Sequence, residues 1–314
     1  MNRLFIITLT VILTQPLFSQ NSKNDSLYLF SYFIKNGKDG LHLAYSHDGY
    51  NWEALNKNKS ILKPEVGEDK LMRDPCLIQT PDGTFHMVWT VSWGERGIGY
   101  ASSKDLVTWS EQRYFPVMEH ELGARNCWAP EIIYDVDEDL FMVYWATTIP
   151  DRFPKTDHTG DNKYNHRMYY VTSRDMGKVS EAKLLYDRGF NVIDASIVKC
   201  QGEYVMFLKD ETRKPKAEKN IRIARSASLT GPYSAPSDPI YDKEWVEGPT
   251  ATRINNKWIV YFDKYAKGGM GAVISSDLTH WKDVSEQLDF PKGTRHGTVL
   301  KVSKCDLKAL QGAP

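Results

Sequence analysis

Five apolar runs open on an ionisable side chain beside Pro, Gly or Ala. They are Arg73-Asp74-Pro75-Cys76-Leu77-Ile78, Trp128-Ala129-Pro130-Glu131-Ile132-Ile133, Val192-Ile193-Asp194-Ala195-Ser196-Ile197-Val198, Val246-Glu247-Gly248-Pro249-Thr250 and Arg295-His296-Gly297-Thr298-Val299-Leu300. Asp194 shows the tension most plainly, because desolvating a carboxylate inside a β-branched run is costly unless something compensates. Taken singly, Asp194 reads as a strand-start Asp bonded to nearby backbone, Asp74 beside Arg73 as a salt-bridged strand end, and Glu247 before Gly-Pro as a turn carboxylate. Taken together they describe different chemistry. Carboxylates crowded into one place repel, so their pKa values are driven apart. One can then stay protonated near neutral pH while another is ionised, the condition for acid and base catalysis in a single site.

A second repeat says what would bring these residues together. An apolar strand followed by Ser, one residue, Asp, and Trp four residues on occurs at Ser46-His47-Asp48 with Trp52, Ser103-Lys104-Asp105 with Trp109, and Ser275-Ser276-Asp277 with Trp281. Weaker copies lie at Ser173-Arg174-Asp175 and Ser226-Ala227-Ser228. Both patterns occur five times and advance together along the chain. Several short strands repeating at about 40–50 residues indicate a β-propeller. The expected fold is therefore all-β and five-bladed, with no long helix. Pro81-Asp82-Gly83-Thr84, Asp137-Glu138-Asp139, Gln201-Gly202-Glu203 and Asn255-Asn256-Lys257 are the expected hairpin turns. The strands before Asp74 have no inner strand of their own until the His296 segment arrives, so the two ends of the chain are expected to share one blade and close the ring. Inner strands of a propeller run beside its axis, which would gather Asp74, Glu131, Asp194, Glu247 and His296 in one pocket.

Composition narrows the partner. Forty basic residues balance forty acidic ones, which removes the electrostatic case for nucleic acid or an anionic membrane. Met1-Asn2-Arg3, the apolar run Leu4 to Leu13 and the polar Asn21-Ser22-Lys23-Asn24-Asp25 have the layout of a secretory signal over residues 1–19, with residues 20–314 forming one domain. The protein is thus expected to be exported, with no membrane span. Cys76, Cys127, Cys200 and Cys305 are too far apart for a compact metal or redox motif, and no more than one disulfide is expected. The polar excursion from Pro150 to Arg167, with Asp151, Asp157, His158, Asp161 and His166, has irregular spacing for a metal site and reads as a solvated rim loop.

The ordered set Arg73-Asp74-Pro75, Trp128-Ala129-Pro130, Ile193-Asp194-Ala195-Ser196, Glu247-Gly248-Pro249 and Arg295-His296-Gly297 resembles that of glycoside hydrolase family 43, over essentially the whole mature chain. The resemblance implies Asp74 as the general base that activates water, Glu247 as the general acid that protonates the departing oxygen, and Asp194 as the carboxylate that raises and orients the acid. It implies inversion, which needs base and acid about 6.5–9.5 Å apart. It also implies Glu131 as a substrate contact and His296 beside the axis, where relatives hold a calcium ion or a water cluster; His296 is the candidate metal ligand, and no cofactor is otherwise required. Trp93 and Trp128 are expected to stack on sugar and Arg295 to bond a sugar hydroxyl, whereas Trp145 reads as core. The activity implied is an exported, monomeric exo-glycosidase on oligo- or polysaccharide, with α-L-arabinofuranose as the leading sugar and β-xylosidase or exo-galactanase as alternatives. Fructan hydrolases of a related five-bladed group share Arg-Asp-Pro but carry Asn-Asp-Pro and Glu-Cys motifs that this chain lacks. A propeller that only binds carbohydrate is the non-enzymatic alternative.

Overall fold

The computed structural model describes residues 27–311, so the expected signal segment lies outside the described residues. Within them the chain is almost entirely β, in five antiparallel sheets. Strands β1 (Leu27–Tyr32), β2 (His42–Ser46) and β3 (Glu53–Ala54) come first. The first complete blade is β4 (Arg73–Gln79), β5 (Phe85–Thr90), β6 (Ile98–Ser103) and β7 (Arg113–Phe115). The second is β8 (Trp128–Asp135), β9 (Leu140–Thr148), β10 (His166–Ser173) and β11 (Lys183–Tyr186). The third is β12 (Val192–Cys200), β13 (Glu203–Asp210) and β14 (Asn220–Ser226), and the fourth is β15 (Glu247–Ile254), β16 (Lys257–Asp263), β17 (Met270–Ser275) and β18 (Lys282–Asp283). Strand β19 (Thr298–Val302) then returns to pair with β1, Leu27 opposite Val302, and becomes the inner strand of the fifth blade. A short helix α1 (Lys304–Gln311) follows. The five-bladed ring, its closure by the two chain ends, and the hairpin turns agree with the sequence reading.

Each hydrophobic cluster is shared between neighbouring blades. Val88 and Tyr100 of the first blade pack with Val143 and Trp145 of the second, and Leu29 and Leu43 pack with Leu77 and Trp89. Burying both sheet faces in this way is what fixes one blade against the next. Trp145 is core, as expected, its Nε1 donating to Thr147 Oγ1 at 2.8 Å.

The Ser-x-Asp repeat is a turn device. Asp48 accepts from the N–H groups of Tyr50 and Asn51 at 2.7 and 2.8 Å, Ser46 Oγ accepts from Gly49 N at 2.8 Å, and Trp52 Nε1 donates to the Gly49 carbonyl. The Ser and Asp bonds recur at Ser103–Asp105 and Ser275–Asp277, and the Trp bond at Trp109. These carboxylates satisfy backbone donors that no strand reaches, and so direct the chain into a blade's outer strand. The copy that lacks both Asp and Trp, Ser226-Ala227-Ser228, leads into the third blade's edge, where a regular fourth strand is missing. There Ser234, Ser237 and Ile240 donate to the Arg225, Ile223 and Ile221 carbonyls and cover the edge.

All four cysteines are free thiols. The rim excursion is more ordered than a solvated loop. Arg213 and Lys214 donate to the Thr159 carbonyl, Lys219 reaches Asp161, and Asn191 bonds the Tyr164 carbonyl. His166 and Arg167 already belong to β10 and are buried.

Candidate active site

Four inner strands begin with the same defect. Pairing with the neighbouring strand slips between Arg73 and Cys76, Trp128 and Glu131, Ile193 and Ser196, and Glu247 and Thr250. Inside each slip one residue turns left-handed: Asp74 at φ 51°, Ala129 at 47°, Asp194 at 53° and Gly248 at 60°. Such bulges re-aim side chains at the mouth of a sheet. Only Gly fits the fourth, since a Cβ there would lie 2.3 Å from the His296 ring.

This geometry corrects the linear alignment. Asp74 and Asp194 occupy the turned position itself, Glu247 the position before it, and Glu131 the second position after Ala129. By then the strand has returned to its regular course. Glu131 therefore sits on the axis beneath the pocket and does not line it; it shares a separate cavity with Cys76, Ser196, Thr250 and Thr298 and accepts from Thr298 Oγ1 at 3.2 Å. The substrate contact expected of Glu131 is not available there. Burial pushes its carboxyl up to about 7.

The pocket above is a cavity of about 170 Å³ lined by Asp74, Asp194, Glu247, His296, Trp93 and Trp128, as the sequence suggested, with Arg73, Thr90, Ala129, His166, Ile193, Lys209 and Glu211 beside them. Asp74 accepts from Thr90 Oγ1 at 2.9 Å, and its other oxygen is 3.4 Å from His296 Nδ1. Thr90 Oγ1 also accepts from Ala129 N at 2.8 Å and so ties the first blade to the bulge of the second. Asp194 accepts from Gly248 N at 3.1 Å. Burial pushes its carboxyl up to about 6, with His296 and Lys209 pulling against Glu247 and Asp74. His296 is fully enclosed, which favours the neutral ring, yet Asp194, Asp74, Glu247 and Glu131 together hold its pKa above the ordinary value. His296 is the basic group these carboxylates share.

Glu247 meets two cations, Arg295 at 3.1 Å and Lys209 at 3.4 Å. Each is nearer to another carboxylate. Arg295 Nε lies 2.5 Å from Asp263, and Lys209 Nζ lies 2.7 Å from Glu211. Burial opposes the charge on Lys209, but Glu211, Glu247 and Asp194 hold it protonated. Glu247 is thus held in place without being the sole counter-ion of either group. Arg295, expected to bond sugar, is absent from the lining and instead anchors Glu247 to Asp263.

The aromatic wall is built from Trp93, 44 % exposed, and Trp128, with ring centroids 5.5 Å apart and planes at 88°. Trp128 Nε1 donates to the Trp93 carbonyl at 3.1 Å, and the Arg73 guanidinium lies 4.5 Å from the Trp93 ring. Rings held edge to face leave a rigid apolar platform beside the carboxylates.

Thr90, His166, Lys209 and Glu211 were missed in the sequence. A signal existed for Lys209: a charge ending the apolar strand Tyr204-Val205-Met206-Phe207-Leu208, the same anomaly that marks Asp194. As for calcium, the ion calls for several oxygen donors. Among the described residues no group of three or more His, Cys, Asp or Glu is placed to hold a metal. These residues do not fit a protein-held calcium ion, and no step below runs through one.

Residues 25–308 match a family model described as a probable glycosyl hydrolase domain, related to glycosyl hydrolase family 43. Among solved structures, the chain is similar to a thermostable family-43 glycoside hydrolase at 18% identity, with 70% of this chain and 73% of that chain covered and a TM-score of 0.51. It is similar to the α-L-arabinofuranosidase from Lactobacillus brevis at 20% identity, over 68% and 72% of the two chains, TM-score 0.51. The exo-β-1,3-galactanase from Phanerochaete chrysosporium is similar at 14% identity over 68% of this chain and 49% of that one, TM-score 0.51. At these identities the structural likeness concerns the fold. No curated protein sequence matches the chain.

Proposed function

The chain belongs to the probable glycosyl hydrolase family related to family 43, and from that premise we propose that it is an exported, inverting exo-glycosidase that removes terminal sugars from plant polysaccharide side chains, α-L-arabinofuranose first among them. One observation carries the reading: carboxylates from three blades, Asp74, Asp194 and Glu247, line a single small pocket with an aromatic wall. A cavity of about 170 Å³ is small beside the ~300–1,000 Å³ of common ligand clefts, which favours one terminal ring over a length of polymer.

In this reading Asp74 is the base. Thr90 and His296 hold its two oxygens, so it is oriented to accept a proton from water rather than to swing toward the sugar. Glu247 is the acid, held in place by Arg295 and Lys209, whose nearer partners are Asp263 and Glu211. Asp194, fixed by the N–H of Gly248, the residue after Glu247, is the third carboxylate and orients the acid within the pocket. Trp93 and Trp128 supply the face on which the ring stacks.

The test is a panel of aryl α-L-arabinofuranosides, β-xylosides and β-galactosides with wild type, Asp74→Asn and Glu247→Gln. Each substitution is expected to lower kcat by about 10²–10⁴-fold. Hydrolysis unchanged by Glu247→Gln removes the acid assignment. A proton NMR time course that shows the retained anomer first removes inversion.

A further inference from the structure

We propose that His166 determines which sugar the pocket accepts: a neutral imidazole whose Nε2–H donates to one hydroxyl of the terminal ring. This deepens the glycosidase reading and rests on it.

The tautomer follows from the bonds around Thr148. The Asn165 N–H donates to Thr148 Oγ1 at 3.0 Å, and His166 Nδ1 lies 3.0 Å from the same oxygen. Among the described residues Nδ1 is the only acceptor placed for the Thr148 hydroxyl proton, and that bond puts the ring proton on Nε2. Nε2 has no hydrogen-bond partner among the described residues, and the ring lines the pocket. A donor that faces the cavity without a protein partner is satisfied by what enters it.

The ring is held on every other side. His166 N donates to Asn191 Oδ1 at 2.8 Å, whose amide in turn bonds the Tyr164 carbonyl. Tyr164 stacks on the imidazole at 5.2 Å with planes 12° apart, and the Trp128 ring lies 5.2 Å away. The imidazole stays uncharged. Burial lowers its pKa to about 3, Lys209, Lys219 and Arg125 oppose a further cation, and Glu211 alone pulls the other way. A fixed neutral donor recognises a hydroxyl oxygen and rejects a sugar that lacks it or carries an acyl group there.

Two measurements test this. Long-range proton–nitrogen NMR of the histidine rings, with His166 assigned through His166→Gln, should show a neutral Nε2–H ring from pH 8 down to about pH 5. An Nδ1–H tautomer, or an imidazolium at pH 6, overturns the proposal. Kinetics of Thr148→Val and His166→Gln on the best aryl glycoside and its monodeoxy analogues should show kcat/KM lowered about 10- to 100-fold for His166→Gln and less for Thr148→Val, with the loss abolished on one analogue only. An equal loss on every analogue would mean a merely structural role and overturns it. If the wild type cleaves no glycoside, the glycosidase reading fails. The free pentose then decides: a shift of the His166 Nε2 resonance on its addition supports the donor role, and no shift ends it.

Discussion

Thr90 is one hydroxyl on which two requirements of the site converge. It donates to the Asp74 carboxylate at 2.9 Å and accepts from the Ala129 N–H at 2.8 Å, and it is 2 % exposed. Thr90→Val keeps the shape and removes both bonds. A hydrogen bond to a charged group contributes about 1.5–3 kcal/mol, and a buried N–H left unpaired costs about 1–3 kcal/mol. Because one oxygen serves both, the terms do not simply add, and the expected loss is about 2–4 kcal/mol. That is a large share of the roughly 5–15 kcal/mol that holds an ordinary domain. Thr90→Ser keeps both bonds and gives up one methyl, about 0.8 kcal/mol. Urea unfolding at pH 7 should therefore move the midpoint strongly for Val and weakly for Ser, at an unchanged slope. With Asp74 free to turn, kcat of Thr90→Val should fall about 100-fold while Ser stays close to wild type. If Val and Ser unfold within about 0.5 kcal/mol of each other, the bridge does not carry the load described here.

Burial pushes the Glu131 carboxyl up to about 7, above the ordinary carboxylate range, so its contribution to stability is present at low pH and is lost as the pH rises toward 7. Glu131→Gln should raise stability by about 1 kcal/mol at pH 5 and by about 3 kcal/mol at pH 8, read from paired urea titrations; a larger gain at pH 5 than at pH 8 would contradict the burial argument. Ala129 holds a left-handed backbone at φ 47°, which costs a residue with a Cβ about 1–2 kcal/mol. Ala129→Gly should thus stabilise by about 0.5–1 kcal/mol after the added chain entropy of Gly, seen as a higher melting temperature, and a lower one would show that the strain is absent.

The wheel was legible because its signals are local. Alternating strands, Asp-Gly type turns and the Ser-x-Asp device are short-range patterns, and Asp74, Asp194, Glu247 and His296 do converge on one pocket. What could not be read was the phase of the bulges. The second blade's turned residue is Ala129, which has no polar atom to announce it, so the nearest ionisable residue, Glu131, stands in the sequence where a pocket group would be expected although it lies in the separate cavity. Arg295 looked like a free donor because Asp263, its nearer partner, lies in another strand. Lys209 carried a signal in the charge that ends its apolar strand, but nothing near it in the sequence shows that Glu211 and Glu247 hold it at the pocket. His166 lay within a polar excursion of irregular spacing. The partners of Arg295, Lys209 and His166 are tertiary contacts that no local pattern encodes.

Pairing Leu27 with Val302 makes the first described strand wait for the last. A nascent chain that has emerged only as far as β18 holds four blades, an unmatched edge along β1, and a hub where Asp74, Asp194 and Glu247 share one pocket with no His296 ring beside them. Such an intermediate is both adhesive and electrostatically unfinished. The arrival of His296 and β19 repairs both faults in one movement, so catalytic competence and mechanical closure come as a single late event in the life of the polypeptide.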